Sequence, residues 1–229
     1  LMSEVLFNIA GLRLPLVMTC ANRAISAPLS IWNDQQDSMS VRDAGWIQLY
    51  CADNQEAVDT TIQAFRISEQ CELPVMVCVD GFTLTHTLEV LDIPDQKQVD
   101  AFLPAFSFAR RLDNADPVSH GTLVSPEFYT EARYTHHQAL QDALSVIEDI
   151  QQEWSNITGR VTGGLLNVEG EPDARIGIIT IGSMTGTLQV ALEKQVTNTA
   201  VRLITLRAFR PFPADALRKA CTGLDQLIV

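Results

Sequence analysis

Blocks of apolar and polar positions predict strands and helices that follow one another along the chain. Three short apolar runs, residues 14–20, 46–51 and 73–79, have the composition of strands covered on both faces of a sheet. Between the second and third runs, Asn54 can cap a helix whose apolar residues recur at helical spacing. This strand–helix–strand unit predicts two parallel strands joined by a right-handed crossover.

The pattern loosens after this first array and then recovers. Residues 94–126 hold a short helix and turn-forming residues, and a long amphipathic helix without Pro or Gly covers about residues 130–156. The Gly-rich segment 158–174 is the best linker candidate. A second array follows, with strands at 175–183, 200–209 and 224–229 and helices at 185–195 and 213–223.

The two arrays predict an α/β fold with two domains, each a mainly parallel sheet flanked by helices. The predicted domains are residues 1–157, which include the long connecting helix, and residues 158–229. The chain begins within an apparent helix and ends on the apolar strand LDQLIV, so we expect both ends to be internal to a longer polypeptide. The charged fraction of 19% also indicates that another domain or chain covers some surface.

Composition limits the partners and the compartment. A net charge of −12 makes nucleic acid and anionic membranes unfavourable partners. No apolar run reaches membrane-spanning length, and the N-terminus does not resemble a signal peptide. Five cysteines without CxxC spacing, of which Cys20, Cys51 and Cys78 lie in apolar runs, predict buried reduced thiols and a cytoplasmic location.

The segment from Cys20 to Asp43 is the first candidate for chemistry. It follows a predicted strand, and a loop of about 20 residues within a domain is usually functional or disordered. Arg23 lies just beyond the strand, where α/β folds place ligands, and a guanidinium there can clamp a substrate carboxylate. The alternative is a structural salt bridge from Arg23 to Asp34, Asp37 or Asp43.

Two further candidates follow other strands. The amides of IGSMTG, residues 181–186, could hold an anion at a helix N-terminus; the simpler interpretation is a strand–helix turn with Ser183 as its cap. Asp80 and His86 could form an acid/base pair, although capping and core roles are favoured for both.

The remaining candidates are weaker. Asp92 and Asp95 resemble a carboxylate pair, but turn formation around Pro94 explains both. His136 and His137 point in different directions from a helix and are poor candidates for a metal site. The sequence contains no phosphate-binding glycine loop, catalytic triad or metal-ligand cluster, so we predict no metal site in this chain.

Several long segments resemble the alpha chain of pyruvate:ferredoxin (flavodoxin) oxidoreductase, a member of the 2-oxoacid:ferredoxin oxidoreductase family. The most specific is NRAISAPLSIWNDQQDSMSVRDAGWIQLY, followed by NQEAVDTTIQAFRISE, LPVMVCVDGF and THTLEVLDIPD. EARYTHHQA and VRLITLRAFRPFPADAL extend the resemblance over essentially the whole chain.

The resemblance implies a role for each part of the chain. Residues 1–157 would be the later part of the domain that binds the pyrimidine end of thiamine diphosphate, and residues 158–229 a truncated transketolase C-terminal-like domain. Arg23 matches the family's arginine that contacts the substrate carboxylate. Neighbouring residues could line the substrate or the cofactor: Ile25, Ser26, Pro28 and Ile31.

The resemblance also implies what this chain lacks. The glutamate that activates the cofactor pyrimidine would lie upstream of Leu1, so no catalytic residue is expected here. Thiamine diphosphate with Mg²⁺ and the [4Fe-4S] clusters would be ligated mainly by other domains or chains. Implied partners are those domains or chains, ferredoxin or flavodoxin, pyruvate and CoA.

Two alternatives remain open at this point. The substrate could be a different 2-oxoacid, such as 2-oxoglutarate, a branched 2-oxoacid or oxalate, because the pocket for the rest of the substrate is not evident. The chain could also be a non-catalytic scaffold or assembly domain that keeps the fold without the chemistry.

Overall fold

Two four-stranded sheets organise the chain. The computed structural model describes residues 2–108, 110–194 and 199–229. The strands are β1 (Val17–Asn22), β2 (Ile47–Tyr50), β3 (Val75–Asp80), β4 (Leu166–Gly170), β5 (Ile176–Ile181), β6 (Val201–Leu206), β7 (Ala208–Arg210) and β8 (Gln226–Ile228). The helices are α1 (Ser3–Gly11), α2 (Gln36–Met39), α3 (Asn54–Cys71), α4 (Gln96–Phe102), α5 (Pro126–Thr158), α6 (Met184–Glu193) and α7 (Ala214–Ala220).

The first sheet has the strand order β1-β3-β2-β7 and contains the main core. β3 is parallel to both β1 and β2, which confirms the predicted parallel unit β2–α3–β3. Every residue of β2 and β3 is buried. Val75 and Val77 pack in the core with α3 and α5, whereas Met76 and Cys78 face a second cluster with α1, because successive strand side chains point to opposite faces.

The second sheet has the strand order β4-β6-β5-β8. β5 is parallel to β6 and β8, as predicted, and β4 is antiparallel to β6. The prediction that residues 158–174 form a linker is therefore wrong, because this segment contains β4. The reason is that β4 is a half-exposed edge strand with two polar residues and a glycine, and its composition resembles that of a loop.

The strand predicted over residues 200–209 is two strands in different sheets. β6 belongs to the second sheet, and β7 pairs antiparallel with β2 of the first. Arg207 lies between them: its N–H and that of Ala208 donate to the carbonyl of Leu165 at 3.0 and 2.9 Å, and its carbonyl accepts from Tyr50 N–H at 2.7 Å. The backbone thus passes directly from one sheet to the other.

Two ion pairs join helix α3 to later parts of the chain, and the first of them holds this crossing. Arg207, whose side chain is 11% exposed, pairs with the buried Glu56, and the Glu56 carboxylate also accepts from Ala52 N–H at 2.7 Å. In the other, both Arg160 nitrogens Nε and Nη2 donate to the fully buried Asp59 carboxylate at 2.8 Å. Burial raises the pKa of Glu56, and Arg207 acts in the opposite direction.

Helix boundaries differ from the expected ones in identifiable ways. Asp53, and not Asn54, caps α3, since its carboxylate accepts from Glu56 N–H at 2.7 Å. α5 starts at Pro126, earlier than predicted, because proline is tolerated in a first helical turn. α6 ends at Glu193, and Gln195, the predicted end, lies outside the described residues. The short α2 was not predicted.

The expectations drawn from composition concern the cysteines and the possibility of membrane-spanning helices. All five cysteines are free; Cys51 and Cys78 are buried as expected, and Cys20 is only half-buried. Among the described residues, no helix combines the length and apolar character needed to cross a membrane.

Removing one partner of the buried pair should be costly. We expect Arg207→Met to lower the free energy of unfolding by about 3–5 kcal/mol, because it leaves the Glu56 carboxylate buried without a cation. Arg175→Met removes an exposed pair with Asp225 and should cost about 0–1 kcal/mol. Urea titration of both variants measures the difference.

The cost of Arg207→Met should also depend on pH. Without the guanidinium, burial raises the pKa of Glu56 further, and a raised pKa means that stability is lost as the pH rises through it. We therefore expect a larger loss at pH 8 than at pH 5. A loss that is equal at both pH values would show that Glu56 does not change its charge in the variant.

Candidate functional site

Polar side chains fix the base of the segment that follows β1. The buried Asn22, at the end of β1, accepts from Ser38 N–H at 3.0 Å through its side-chain oxygen. Ser38 lies in α2; its hydroxyl is 2.7 Å from the Tyr50 hydroxyl, and its carbonyl accepts from Gln48 Nε2 at 2.8 Å. Residues 23–35, named here the Arg23 loop, therefore rise from a base attached to β1 and β2.

Asp80 holds the last residues of the Arg23 loop. This buried carboxylate, at the end of β3, accepts from Gln35 Nε2 at 2.5 Å and from Asn33 Nδ2 at 3.4 Å. It also accepts from Ser183 N–H at 2.8 Å and from the Ser183 hydroxyl. One carboxylate thus connects the loop to the first turn of α6 beside the second sheet.

The helix N-terminus at residues 181–186, considered above as a site for a bound anion, is occupied by the protein's own Asp80. Its carboxylate lies at the N-terminus of α6, where the backbone N–H groups and the helix dipole favour negative charge. Ser183 is at the capping position, as the simpler interpretation held, but its hydroxyl bonds Asp80. A side chain at Gly182, whose φ is +67°, would lie 2.6 Å from Asp80 Oδ1, so this approach requires glycine.

Asp80 and His86 do not form the acid/base pair considered above. The Asp80 carboxylate bonds Ser183 and the Arg23 loop, whereas His86 Nδ1 is 3.0 Å from the Thr85 hydroxyl. The His86 ring stacks on Phe82 with centroids 4.7 Å apart.

Arg23 lies at the carboxyl end of β1 with an exposed side chain. Its backbone N–H donates to Asp37 at 3.0 Å, and its Nη1 donates to the carbonyl of Ala24 at 3.0 Å. The alternative salt bridge is absent: within the described part of the chain the guanidinium pairs with none of Asp34, Asp37 and Asp43. A bidentate face of this cation remains available to a ligand carboxylate.

The tip of the Arg23 loop is exposed and largely apolar. Ala24 N–H donates to the carbonyl of Ser30 at 3.1 Å and closes the tip, within which the Ser26–Ala27 and Ala27–Pro28 peptide bonds are cis. The predicted lining residues Ile25, Ser26, Pro28 and Ile31 are all on this exposed tip or beside it.

An aromatic cluster beside the loop was not predicted. Trp32, which is 58% exposed, lies 5.3 Å from the Phe82 ring, and Phe82 stacks on His86. The signal in the sequence was a tryptophan inside a polar loop; its partners were not identifiable because they follow a different strand.

The other candidate residues have structural roles or stand apart. Asp95 caps α4 with a reciprocal bond to Gln98, and Asp92 pairs with Arg160 at 2.6 Å, as expected for turn residues. Burial, and then the Asp37 carboxylate, raise the pKa of the Cys20 thiol to about 11, so it stays protonated at neutral pH. The described residues contain no group of three His, Cys, Asp or Glu placed to hold a metal ion.

Comparisons with known proteins identify the architecture and then the family. By fold, the chain is similar to 2-oxoglutarate:ferredoxin oxidoreductase from Magnetococcus marinus, a structure with 2-oxoglutarate, coenzyme A and succinyl-CoA bound. The TM-score is 0.63 at 16% identity, over 99% of this chain and 43% of that one. The two chains therefore share a fold.

The sequence comparison establishes the family. The family described as pyruvate flavodoxin/ferredoxin oxidoreductase, thiamine diphosphate-binding, matches residues 1–152. The chain belongs to this family.

The relatives of this chain include subunits of enzymes that are named for different 2-oxoacids. Pyruvate synthase subunit PorA of Methanothermobacter thermautotrophicus is 44% identical over 232 residues, and that of Methanocaldococcus jannaschii is 41% identical over 236. The alpha subunit of NADH-dependent phenylglyoxylate dehydrogenase from Aromatoleum evansii is 38% identical over 230 residues and matches 96% of this chain. The chain is matched in full by both PorA subunits but spans 60% of the length of each, and 55% of the phenylglyoxylate relative.

Replacing Asp80 tests its role in positioning the loop. We expect Asp80→Asn to lower the free energy of unfolding by about 2–3 kcal/mol, since charge-assisted hydrogen bonds at a helix N-terminus are lost and an amide donor faces other donors. Hydrogen exchange should increase in both residues 23–35 and the first turn of α6.

A matched control is Asp215→Asn, which changes an exposed carboxylate in the first turn of α7 and should cost less than about 1 kcal/mol. Unchanged exchange in residues 23–35 of the Asp80→Asn protein would mean that Asp80 does not position the loop.

Proposed function

We propose that this chain provides the substrate-carboxylate side of the active site in a thiamine diphosphate-dependent 2-oxoacid:ferredoxin oxidoreductase. The specific reaction proposed is the oxidative decarboxylation of pyruvate to acetyl-CoA and CO₂, with electrons passed to ferredoxin or flavodoxin. The observation that carries the proposal is the Arg23 guanidinium, which is exposed at the carboxyl end of β1 and has no carboxylate partner among the described residues.

The relatives support pyruvate as the substrate. The PorA subunits of pyruvate synthases are 41–44% identical to this chain, whereas the phenylglyoxylate relative is 38% identical. The difference is small, and the surface next to Arg23 does not itself distinguish among short 2-oxoacids. Other 2-oxoacids are therefore the second candidate, and the ketoisovalerate oxidoreductase subunit VorA of Pyrococcus abyssi, 38% identical, supports retaining it.

Arg23 would bind and orient the substrate. Two parallel N–H···O bonds from a guanidinium fix both the position and the plane of a carboxylate, so the adjacent 2-oxo carbon faces one direction. The Arg23 loop is held at its base and by Asp80, so this orientation is set before the substrate binds. Thiamine diphosphate, when bound, supplies the electron sink for loss of CO₂.

The residues present fit one end of this cofactor. The exposed apolar side chains of Ile25 and Ile31 offer contact surface for an aromatic ring, and residues 1–157 are proposed to form part of the pyrimidine-binding domain. Residues 158–229 are proposed to be transketolase C-terminal-like. The ligands of Mg²⁺ and of the [4Fe-4S] clusters would come from other domains or chains, and the assembly would work in the cytoplasm.

Arg23→Gln in the complete enzyme should raise the KM for pyruvate about tenfold or more. One charge-assisted hydrogen bond is worth about 1.5–3 kcal/mol, and glutamine offers a single neutral donor in its place. Initial rates of viologen reduction that depend on pyruvate, CoA and thiamine diphosphate measure KM and kcat, and the same assay with 2-oxoglutarate and phenylglyoxylate ranks the substrates.

The control is Arg111→Gln, a change in an arginine whose side chain is 76% exposed and which should leave both constants unchanged. A wild-type KM in the Arg23→Gln enzyme would remove Arg23 from the substrate site. If the wild-type enzyme, with intact iron–sulfur clusters, failed to reduce the dye with every 2-oxoacid tested, a non-catalytic scaffold would be the better account.

A further inference from the structure

A cavity of about 370 Å³ lies between α5, the segment before β2 and the end of β7. Its lining carries a net positive charge, whereas the chain as a whole is acidic. We call it the arginine pocket; its principal lining residues are Arg42, Arg133, His136, His137, Arg210 and Phe212. Three guanidinium groups thus face one cavity with a single carboxylate, that of Asp43, in a chain whose net charge is −12. No residue of the Arg23 loop lines it.

Two of the arginines are held in place by backbone carbonyls. Arg42 Nη1 donates to the carbonyl of Met39 at 3.0 Å, and Arg210 Nε donates to the carbonyl of Arg42 at 3.2 Å. The Arg210 guanidinium also lies 4.9 Å from the centroid of the Phe209 ring. Arg210 Nη1 also donates to the carbonyl of Phe209 at 3.2 Å, so each Arg210 nitrogen has one partner when the pairing of Nη2 with Asp43 is included. Each terminal nitrogen still carries a second N–H, and Arg42 uses a single donor to a carbonyl, so donors of both groups remain for a ligand.

Asp43 compensates little of this positive charge. Its carboxylate is 3.9 Å from Arg42 Nε and 3.6 Å from Arg210 Nη2, and its side chain is 74% exposed. Exposed pairs at such distances contribute little, because water screens them. Arg133 has no ion pair among the described residues, so a bound anion would add the attraction that one exposed carboxylate supplies only in part.

His136 forms the floor of the pocket. Its ring packs against Gly45, where a Cβ would lie 2.2 Å from Cε1, and its Nε2 is buried without a hydrogen-bond partner in the part of the chain described. Burial, and then the nearby Arg133 and Arg13, lower the pKa of His136, so the ring is neutral at pH 7. His136 is thus a neutral lining residue of a pocket that three arginines also line, and Phe212, 40% exposed, adds an apolar surface.

We propose that the arginine pocket binds a phosphate-bearing small molecule, with its phosphate oxygens held by Arg42, Arg133 and Arg210. The volume is that of a small-ligand site, and guanidinium groups are the donors that match phosphate oxygens in pairs. Free diphosphate and a nucleotide diphosphate share this chemistry, and Phe212 could add a contact only to the latter.

Calorimetric titration of the full-length chain with inorganic pyrophosphate, and separately with ADP, tests the proposal. We expect binding of both, with the dissociation constant raised about tenfold or more by Arg133→Gln or by Arg42→Gln, since each removes a charge-assisted contact. Equal affinity for the two probes would show that the pocket recognises the phosphate groups alone. Tighter binding of ADP would show that it also contacts the adenosine.

The matched control is Arg218→Gln, an exposed arginine on α7 that should leave both dissociation constants unchanged. Arg133 has no ion pair among the described residues, so its variant should fold normally, and thermal unfolding checks this. The proposal is overturned if neither probe binds at millimolar concentration, or if both arginine variants bind as the wild type does. An acidic protein would then be a better occupant of this surface than a small molecule.

Discussion

The buried ion pair between Arg207 and Glu56 is the interaction on which the arrangement of the two sheets depends. It anchors, against α3, the single residue at which the backbone leaves the second sheet and joins the edge of the first. Charges buried in this way are stable only as a pair, since each would otherwise be left without water. Because the crossing is fixed here, the start of α6 can lie close enough to β3 for Ser183 to reach Asp80.

The candidate site uses this arrangement to make one loop rigid. The Arg23 loop is held at its base by Asn22 and Ser38 and in its last residues by Asp80, while its tip and its guanidinium stay exposed. Polar anchors at the base and an apolar, cationic tip are what an orienting contact needs, because the ordering of the loop is completed in folding and not on binding. The candidate site therefore lies mainly on the first sheet but depends on the second for its support.

The sequence predicted what depends on local patterns. The fully buried β2 and β3 were recognisable as apolar runs, and Arg23 as the first long polar side chain after a strand. What it could not show depends on contacts between distant residues. The separation of β6 from β7 is set by Glu56, about 150 residues earlier, and the anion at the start of α6 is supplied by Asp80, 103 residues away. β4 was missed because an edge strand keeps few buried positions.

The path of the chain through the sheets has a consequence for evolution. The polypeptide builds three strands of the first sheet, then three of the second, returns for β7 and finishes with β8. No single crossover point in a gene separates the two sheets, so a recombination event that replaced the second sheet would also import an edge strand of the first. That imported strand must still match β2 and place an arginine opposite Glu56, which restricts successful exchange to closely related genes.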